Sequence, residues 1–237
     1  MAQVAQCLGR IRDMWRAYGT VATILFLCDR FLASAIHLDV ETIVWLQSDA
    51  IQVGPEQAPD FQFRFLTAEE VETFAAEPEY HLTPECAERI RRGRDFCYAA
   101  LARDGRLASY GWYAVEHIEA EHCAGAELQL PQCVAYMYKG YTHPDFRGAR
   151  LHGAGMGGAL RALEDHAVTA LISIVHWRNC ASLRSCKRLG YVTLGHLVSW
   201  QVRGERHIRV PEPSHVHGVR FGAHCAAAVR EHEDAVA

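Results

Sequence analysis

Residues 140–195 read GYTHPDFRGARLHGAGMGGALRALEDHAVTALISIVHWRNCASLRSCKRLGYVTLG, and this stretch decides the fold. It begins as the end of an aromatic-rich strand, CVAYMYKGYT (133–142), and passes through a turn dense in Gly and Arg. A helical pattern then covers 151–167, a strand VTALISIVHW (168–177), a helix Ala181–Arg188 closed by Gly190, and a strand YVTLGHLVSWQV (191–202). A strand that runs through such a turn straight into a helix aims backbone N–H groups and the positive helix end at one point, which is an anion site. Gly148, Gly153, Gly155, Gly157 and Gly158 allow close backbone approach to a ligand there, and Arg147 and Arg150 add charge. No Gly-Lys-Ser/Thr follows, so the turn is not a Walker-type loop; its late place after antiparallel strands excludes a dinucleotide fingerprint.

Working outward, FQFRFL (61–66) reads as a strand, and Thr67 with Glu70 three residues on is a capping box opening a helix to about Ala76. TPECAERIRRG (83–93) is a second helix, with Thr83 as N-cap, Pro84 behind it, and Cys86 where a box would need a carboxylate. Strands DFCYAALA (95–102) and RLASYGWYAVEHI (106–118) are joined by Asp104-Gly105. The expected fold class is therefore α/β in the α+β sense, a mixed sheet with helices on both faces. Residues 1–60 form an N-terminal helix, the strand ETIVWLQ (41–47) and a linker VGPEQAPD (53–60); 61–203 are the core domain; 204–237 are a polar His/Arg-rich extension.

Half of the 237 residues are apolar, 22% are charged and the formal charge is −4, which argues against disorder and against a nucleic-acid binder. The 9 cysteines contain no C-x-x-C, and the 14 histidines form no H-E-x-x-H or finger-like quartet, so no metal is expected; the nearest cluster is His207, His215, His217 and His224. The N-terminus has no cleavage pattern, and the apolar run Val21–Cys28 is far shorter than the ~20 residues of a span. A cytoplasmic setting is expected. Residues 8–37 carry a broad apolar stripe with Arg10, Arg12 and Arg16 at its start. They read as a helix packed on the core or on a second copy in a homodimer, or as a peripheral membrane-surface helix.

The pieces in 134–195 resemble the acyl-CoA half of the GNAT (Gcn5-related N-acetyltransferase) superfamily. The resemblance is carried by His143, Pro144, Phe146, Arg147 and Gly148, then by the helix and strand, Asn179, and the closing Lys187-Arg188-Leu189-Gly190-Tyr191. It implies a fold spanning 61–200, acetyl-CoA or another acyl-CoA as cosubstrate, and its pyrophosphate on the 147–155 turn. The cofactor residues it implies are Tyr141, Thr142, Arg147, Gly148, Ala149, Arg150, His152, Gly153, Gly155 and Asn179. The pantetheine arm would enter between the strands ending near Thr142 and Val175. Two departures stand out. Counted from Arg147, the family's later small positions hold Arg150 and His152; counted from Arg150 the small positions are kept but the helix shortens by a turn, so the first register is preferred. Where many members carry a Tyr that protonates the departing thiolate, this chain has Cys186.

The implied reaction is direct attack of an amine, in a small molecule or a peptide, on the thioester. It needs a neutral amine and a polarised carbonyl, the latter from a backbone N–H near Tyr141 or Thr142. Within EHIEAEH (116–122), Glu116, Glu119 and Glu121 with His117 and His122 are candidate bases, Glu116 first; His143 at the turn is another, and Tyr138 and Tyr141 are placed to line the cleft. Longer-chain acyl transfer at a membrane surface and a non-catalytic CoA- or partner-binding domain are the alternatives.

Overall fold

In the computed structural model the residues described are 20, 23–24, 27, 38–51, 53–119, 126–202, 205–210, 212 and 217–223. The helix expected over 8–37 lies outside these, apart from residues 20, 23–24 and 27, and so do Glu121 and His122. The chain divides into two compact units, residues 41–197 with 210–237, and residues 1–40 with 198–209.

The larger unit is a mixed sheet. Its strands are β1 (Asp39–Gln47), β2 (Phe61–Phe65), β3 (Asp95–Ala102), β4 (Leu107–Val115), β7 (Val134–Thr142), β8 (Ala170–His176) and the start of β9 (Val192–Val202), in the order β9-β1-β8-β7-β4-β3-β2. β7 and β8 run parallel, while β1 with β8, β2 with β3, β3 with β4 and β4 with β7 are antiparallel. A small second sheet, β11-β6-β5, is made by β5 (His117–Ile118), β6 (Ala126–Gln129) and β11 (Arg220–Ala223). In the smaller unit the end of β9 and β10 (Glu205–Arg209) form a hairpin in which His207 stacks on Trp200.

Every residue of β4 up to Ala114 is buried, the mark of a strand covered on both faces. The period-two alternation sorts β3 between the two layers. Cys97, Ala99 and Leu101 join Val71, Tyr80 and Ala87 under α1 (Ala68–Ala75) and α2 (Pro84–Arg91). Tyr98 faces Met156, Leu160 and Leu163 of α3 (Leu151–Leu163) and Leu189 after α4 (Cys180–Arg188). At eight residues α1 depends on packing and its cap. Both halves of the capping box form, Glu70 N to Thr67 Oγ1 and Thr67 N to Glu70 Oε2, and Arg64 Nη1 also reaches Glu70 at 2.7 Å.

Four expectations are corrected. The strand 106–118 breaks at Glu116, whose φ of 69° ends β4 and starts β5. The helix 151–167 stops at Leu163 and unwinds through a 3-10 turn, 164–166, to Ala167 at φ 61°. The 53–60 segment packs as part of the core: Ala58 is buried, and Glu56 pairs with Arg161 of α3 at 2.9 Å. Finally, residues 41–47 pair with β8 from Glu41↔His176 to Gln47↔Ala170, so a strand read as lying before the core is inside its sheet.

Candidate active site

The parallel ladder between β7 and β8 extends only from Val134↔Ala170 to Tyr136↔Ile172. Beyond it, Met137–Thr142 and Ser173–His176 are strand without pairing to each other, so the two backbones diverge and enclose a wedge. The other edge of β7 shifts register at the mouth of this wedge. Trp112 pairs with Lys139 and Tyr113 with Met137, which leaves Tyr138 as the extra residue of a β-bulge. The bulge also changes which face side chains take. Tyr136, Tyr138, Lys139 and Tyr141 meet the α1/α2 layer, while the Cα of Gly140 faces α3.

From the end of β7 the chain runs through a 3-10 turn, 144–146, to Arg147, Gly148 at φ 90°, and Arg150 at φ 58°, then into α3. Two left-handed residues in one turn reverse the chain sharply enough to start the helix at Leu151, and an arginine in that region carries a backbone cost. No side chain caps α3, and the first helical bond is Ala154 N to Arg150 O. The N–H groups of Leu151, His152 and Gly153 therefore have no helical acceptor. Arg147 and Arg150 are exposed beside them, and neither is ion-paired with a described residue. Positive helix end, unclaimed donors and two cations converge beside the open wedge, an arrangement that attracts a multiply charged anion such as a phosphate.

The glycines of α3 divide by role. A Cβ on Gly157 would lie 1.9 Å from Val53 O, one on Gly158 2.7 Å from Pro55, and one on Gly153 3.0 Å from Leu189. These three serve close packing, which corrects the expectation that all the glycines open the backbone to a ligand. Gly155 lies deeper in the helix than the free donors and faces Phe63. His152, in a position expected to be small, is accommodated by a reciprocal change: its imidazole lies where a Cβ on Gly140 would sit, 2.4 Å from Cε1. Burial pushes the His152 imidazole below its ordinary value, so it is neutral near pH 7. It also borders a cavity of about 10 Å³ with Ser109, Gly111 and Leu151, room for about one water.

The other expected residues fall in different places. Asn179 caps α4, accepting from Ser182 N. Thr142 Oγ1 meets Ser109 Oγ, and Ser109 donates to Tyr141 O. His143 is buried; its Nδ1 accepts from Asp145 N and its Nε2 lies 3.6 Å from Glu79, so it braces the turn. Cys186 lies in the α3/α4 core with Met156 and Tyr191, and burial pushes its thiol up to about 11. Glu116 is exposed, near Arg94 at 3.7 Å. It lies four residues past Trp112 toward the closed end of the wedge, about 13 Å along a strand. Glu116, His143 and Cys186 are thus not gathered in one place.

Tyr138 and Tyr141, expected to line the cleft, pack on the α1/α2 face of the sheet, where sequence reasoning missed their polar partners. Asp95 is buried, contacts Arg89 Nε, and accepts from Tyr138 Oη at 3.4 Å, while Arg89 lies over the Tyr138 ring. Burial and the Asp95 carboxylate push the Tyr138 phenol well up, so it stays protonated. Beside them three successive carbonyls of the α1–α2 connection are each held by a different side chain. Tyr141 Oη donates to Glu79 O at 2.7 Å, Tyr110 Oη to Tyr80 O at 2.8 Å, and Lys139 Nζ to His81 O at 2.8 Å. The only sequence signal for this clamp is that the aromatics of β4 and β7 recur at the register that pairs Tyr110 with Tyr141.

Among the described residues no group of three His, Cys, Asp or Glu could hold a metal, and His217 stacks on Trp45 at 4.2 Å. No described helix is long and apolar enough to cross a membrane. Scanned against protein-family models and the curated proteins, the chain matches none. Among solved structures it is similar to a Drosophila protein of unstated activity, at 16% identity and TM-score 0.48 over 76% of this chain and 59% of that one. It is also similar to a GNAT-family acetyltransferase, so described, from Novosphingobium aromaticivorans, at 13% and 0.47 over 68% and 62%. A GCN5-related N-acetyltransferase-like protein from Streptococcus suis aligns at 13% and 0.47 over 78% and 69%. The chain spans about three fifths of the length of the first two.

Proposed function

We propose that this chain is an acyl-CoA-dependent N-acyltransferase of the GNAT type, moving acetyl from acetyl-CoA to an amine by direct attack. The observation that carries the reading is the wedge between β7 and β8 opening beside the uncapped N-terminus of α3 and two arginines that no described acidic residue pairs. The residues fit the cosubstrate. Leu151, His152 and Gly153 offer N–H donors and Arg147 and Arg150 charge to the pyrophosphate, and the edge of β7 that faces the wedge offers N–H groups to the thioester carbonyl. The ammonium loses a proton to water at the open end of the wedge, the neutral amine attacks the carbonyl carbon, the C–S bond breaks, and CoA leaves as thiolate and takes up the proton released from the new amide nitrogen. Glu116 is too far along β4 to take the ammonium's proton. The acceptor is a small molecule or a peptide and approaches from the α1/α2 face.

Burial of Cys186 where a proton donor is expected favours, as a second reading, a domain that binds CoA without turnover. Thermal stabilisation by CoA followed by thiol release from acetyl-CoA across an amine panel separates the two. Stabilisation with no release for any amine supports the second; no stabilisation, or stabilisation that survives Arg147→Glu unchanged, overturns the assignment of the turn.

A further inference from the structure

The chain carries 24 basic side chains, yet its only lysines are Lys139 and Lys187. Lys187 is exposed on α4. Lys139 is the first residue past the bulge, on the strand edge where the wedge opens, half-buried on the face from which an acceptor would come. Its ammonium donates to His81 O at 2.8 Å and lies 5.9 Å from the Tyr110 ring, and no carboxylate pairs with it among the described residues. An arginine, the cation this chain uses everywhere else but at Lys187, would serve that clamp as well. What a guanidinium does not do at neutral pH is accept an acyl group.

Resting on the acyl-CoA reading above, we propose that Lys139 is a self-acylation site that regulates the cleft. With acyl-CoA in the wedge, the Lys139 amine swings off His81 O and attacks the thioester carbon. A new N–C bond forms, the C–S bond breaks, and CoA leaves as thiolate and takes up a proton, while the ammonium's proton passes to water. The product is a neutral amide. It loses the cation over Tyr110 and two of its three donor hydrogens, so one of the three hooks on the 79–81 carbonyls is released while Tyr110 and Tyr141 keep theirs. Acceptor-side access would then depend on the acyl-CoA supply.

The experiment incubates the full-length protein with acetyl-CoA and follows both lysines by peptide mass spectrometry. Label at Lys139 is expected to appear at least about tenfold faster than at Lys187, because only the first reacts within a bound complex. Arg147→Glu should abolish the label at Lys139 and leave Lys187 unchanged. Lys139→Arg should keep CoA-dependent stabilisation, and labelled wild type should exchange the amides of Tyr80 and His81 faster than unlabelled protein. Equal rates at both lysines mean ordinary solution acetylation and overturn the proposal. So does stabilisation by CoA with no label at Lys139, which leaves the acyl-CoA reading intact; no stabilisation by CoA overturns both.

Discussion

Replacing Gly157 by Ala puts a methyl group where the protein has a carbonyl. The added Cβ would fall 1.9 Å from Val53 O and 3.1 Å from Ile51 Cγ2. Its neighbour is backbone, so no rotamer change relieves the clash and either α3 or the 51–55 segment must move. Forced overpacking costs about 1–3 kcal/mol, against a helix-propensity gain of about 1 kcal/mol for Gly→Ala. Gly155→Ala on the same helix supplies the control, because its new Cβ meets only Phe63 at 3.9 Å. It should keep the propensity gain of about 0.5–1 kcal/mol. The two variants share chemistry and helix, so the propensity gain cancels and their midpoints in urea should differ by the equivalent of about 1–3 kcal/mol, or several degrees in Tm at about 2–4 °C per kcal/mol. Equal stability of the two variants, or a Gly157→Ala protein more stable than wild type, would refute the claim that Gly157 exists for the Val53 contact.

Four further outcomes are expected. Arg150→Gly removes a left-handed non-glycine residue and should raise stability by up to about 1 kcal/mol while weakening CoA binding; unchanged CoA affinity would remove Arg150 from the anion site. Gly140→Ala should destabilise the protein, and His152→Ala should offset part of that loss, with a coupling of at least about 0.5 kcal/mol in a double-mutant cycle; strict additivity would mean the two do not touch. Iodoacetamide near pH 7.5 should label exposed Cys133 and leave Cys186 unmodified, and rapid labelling of Cys186 would return it to the cleft as a proton donor. Glu70→Gln should cost about 1 kcal/mol at pH 7 through its cap and its Arg64 bond. Because Arg64, before all else, holds the Glu70 carboxyl below its ordinary value, that contribution is full above the unfolded pKa and lost as pH falls through the folded one. The wild-type advantage should therefore vanish in acid; a gap that persists there would mean the carboxylate charge is irrelevant.

What the sequence discloses about this fold is local. The Thr67–Glu70 box, the Asp104-Gly105 turn and the helix–strand succession after His143 each sit within a few residues of the groups that determine them, and all appear in the structure. The α3 start at Leu151 is similarly legible, because the turn before it needs left-handed residues and Gly148 supplies one. What stayed hidden is set by pairing over long distances. Nothing in ETIVWLQ says that its partner is β8, and nothing near Tyr138 marks a bulge, since no glycine is needed there. The clamp on residues 79–81 joins side chains to carbonyls some 30 to 62 positions away, and carbonyls have no residue identity to read. The place of Glu116 is hidden for a related reason: residue type carries no strand direction, and β4 runs toward the closed end of the wedge.

The place of β1 between β8 and β9 has a consequence for the order of events as the chain is made. The partners of residues 41–47, at 170–176 and in β9, emerge more than a hundred residues after them. Until then β1 has no sheet to join, and β8, one wall of the wedge, keeps an open flank. The contact that closes this flank joins segments more than a hundred residues apart and is among the slowest kind to form. A fragment cut at residue 61 would leave β8 and β9 with bare edges on either side of a missing strand, which makes it a candidate for aggregation rather than a smaller working core.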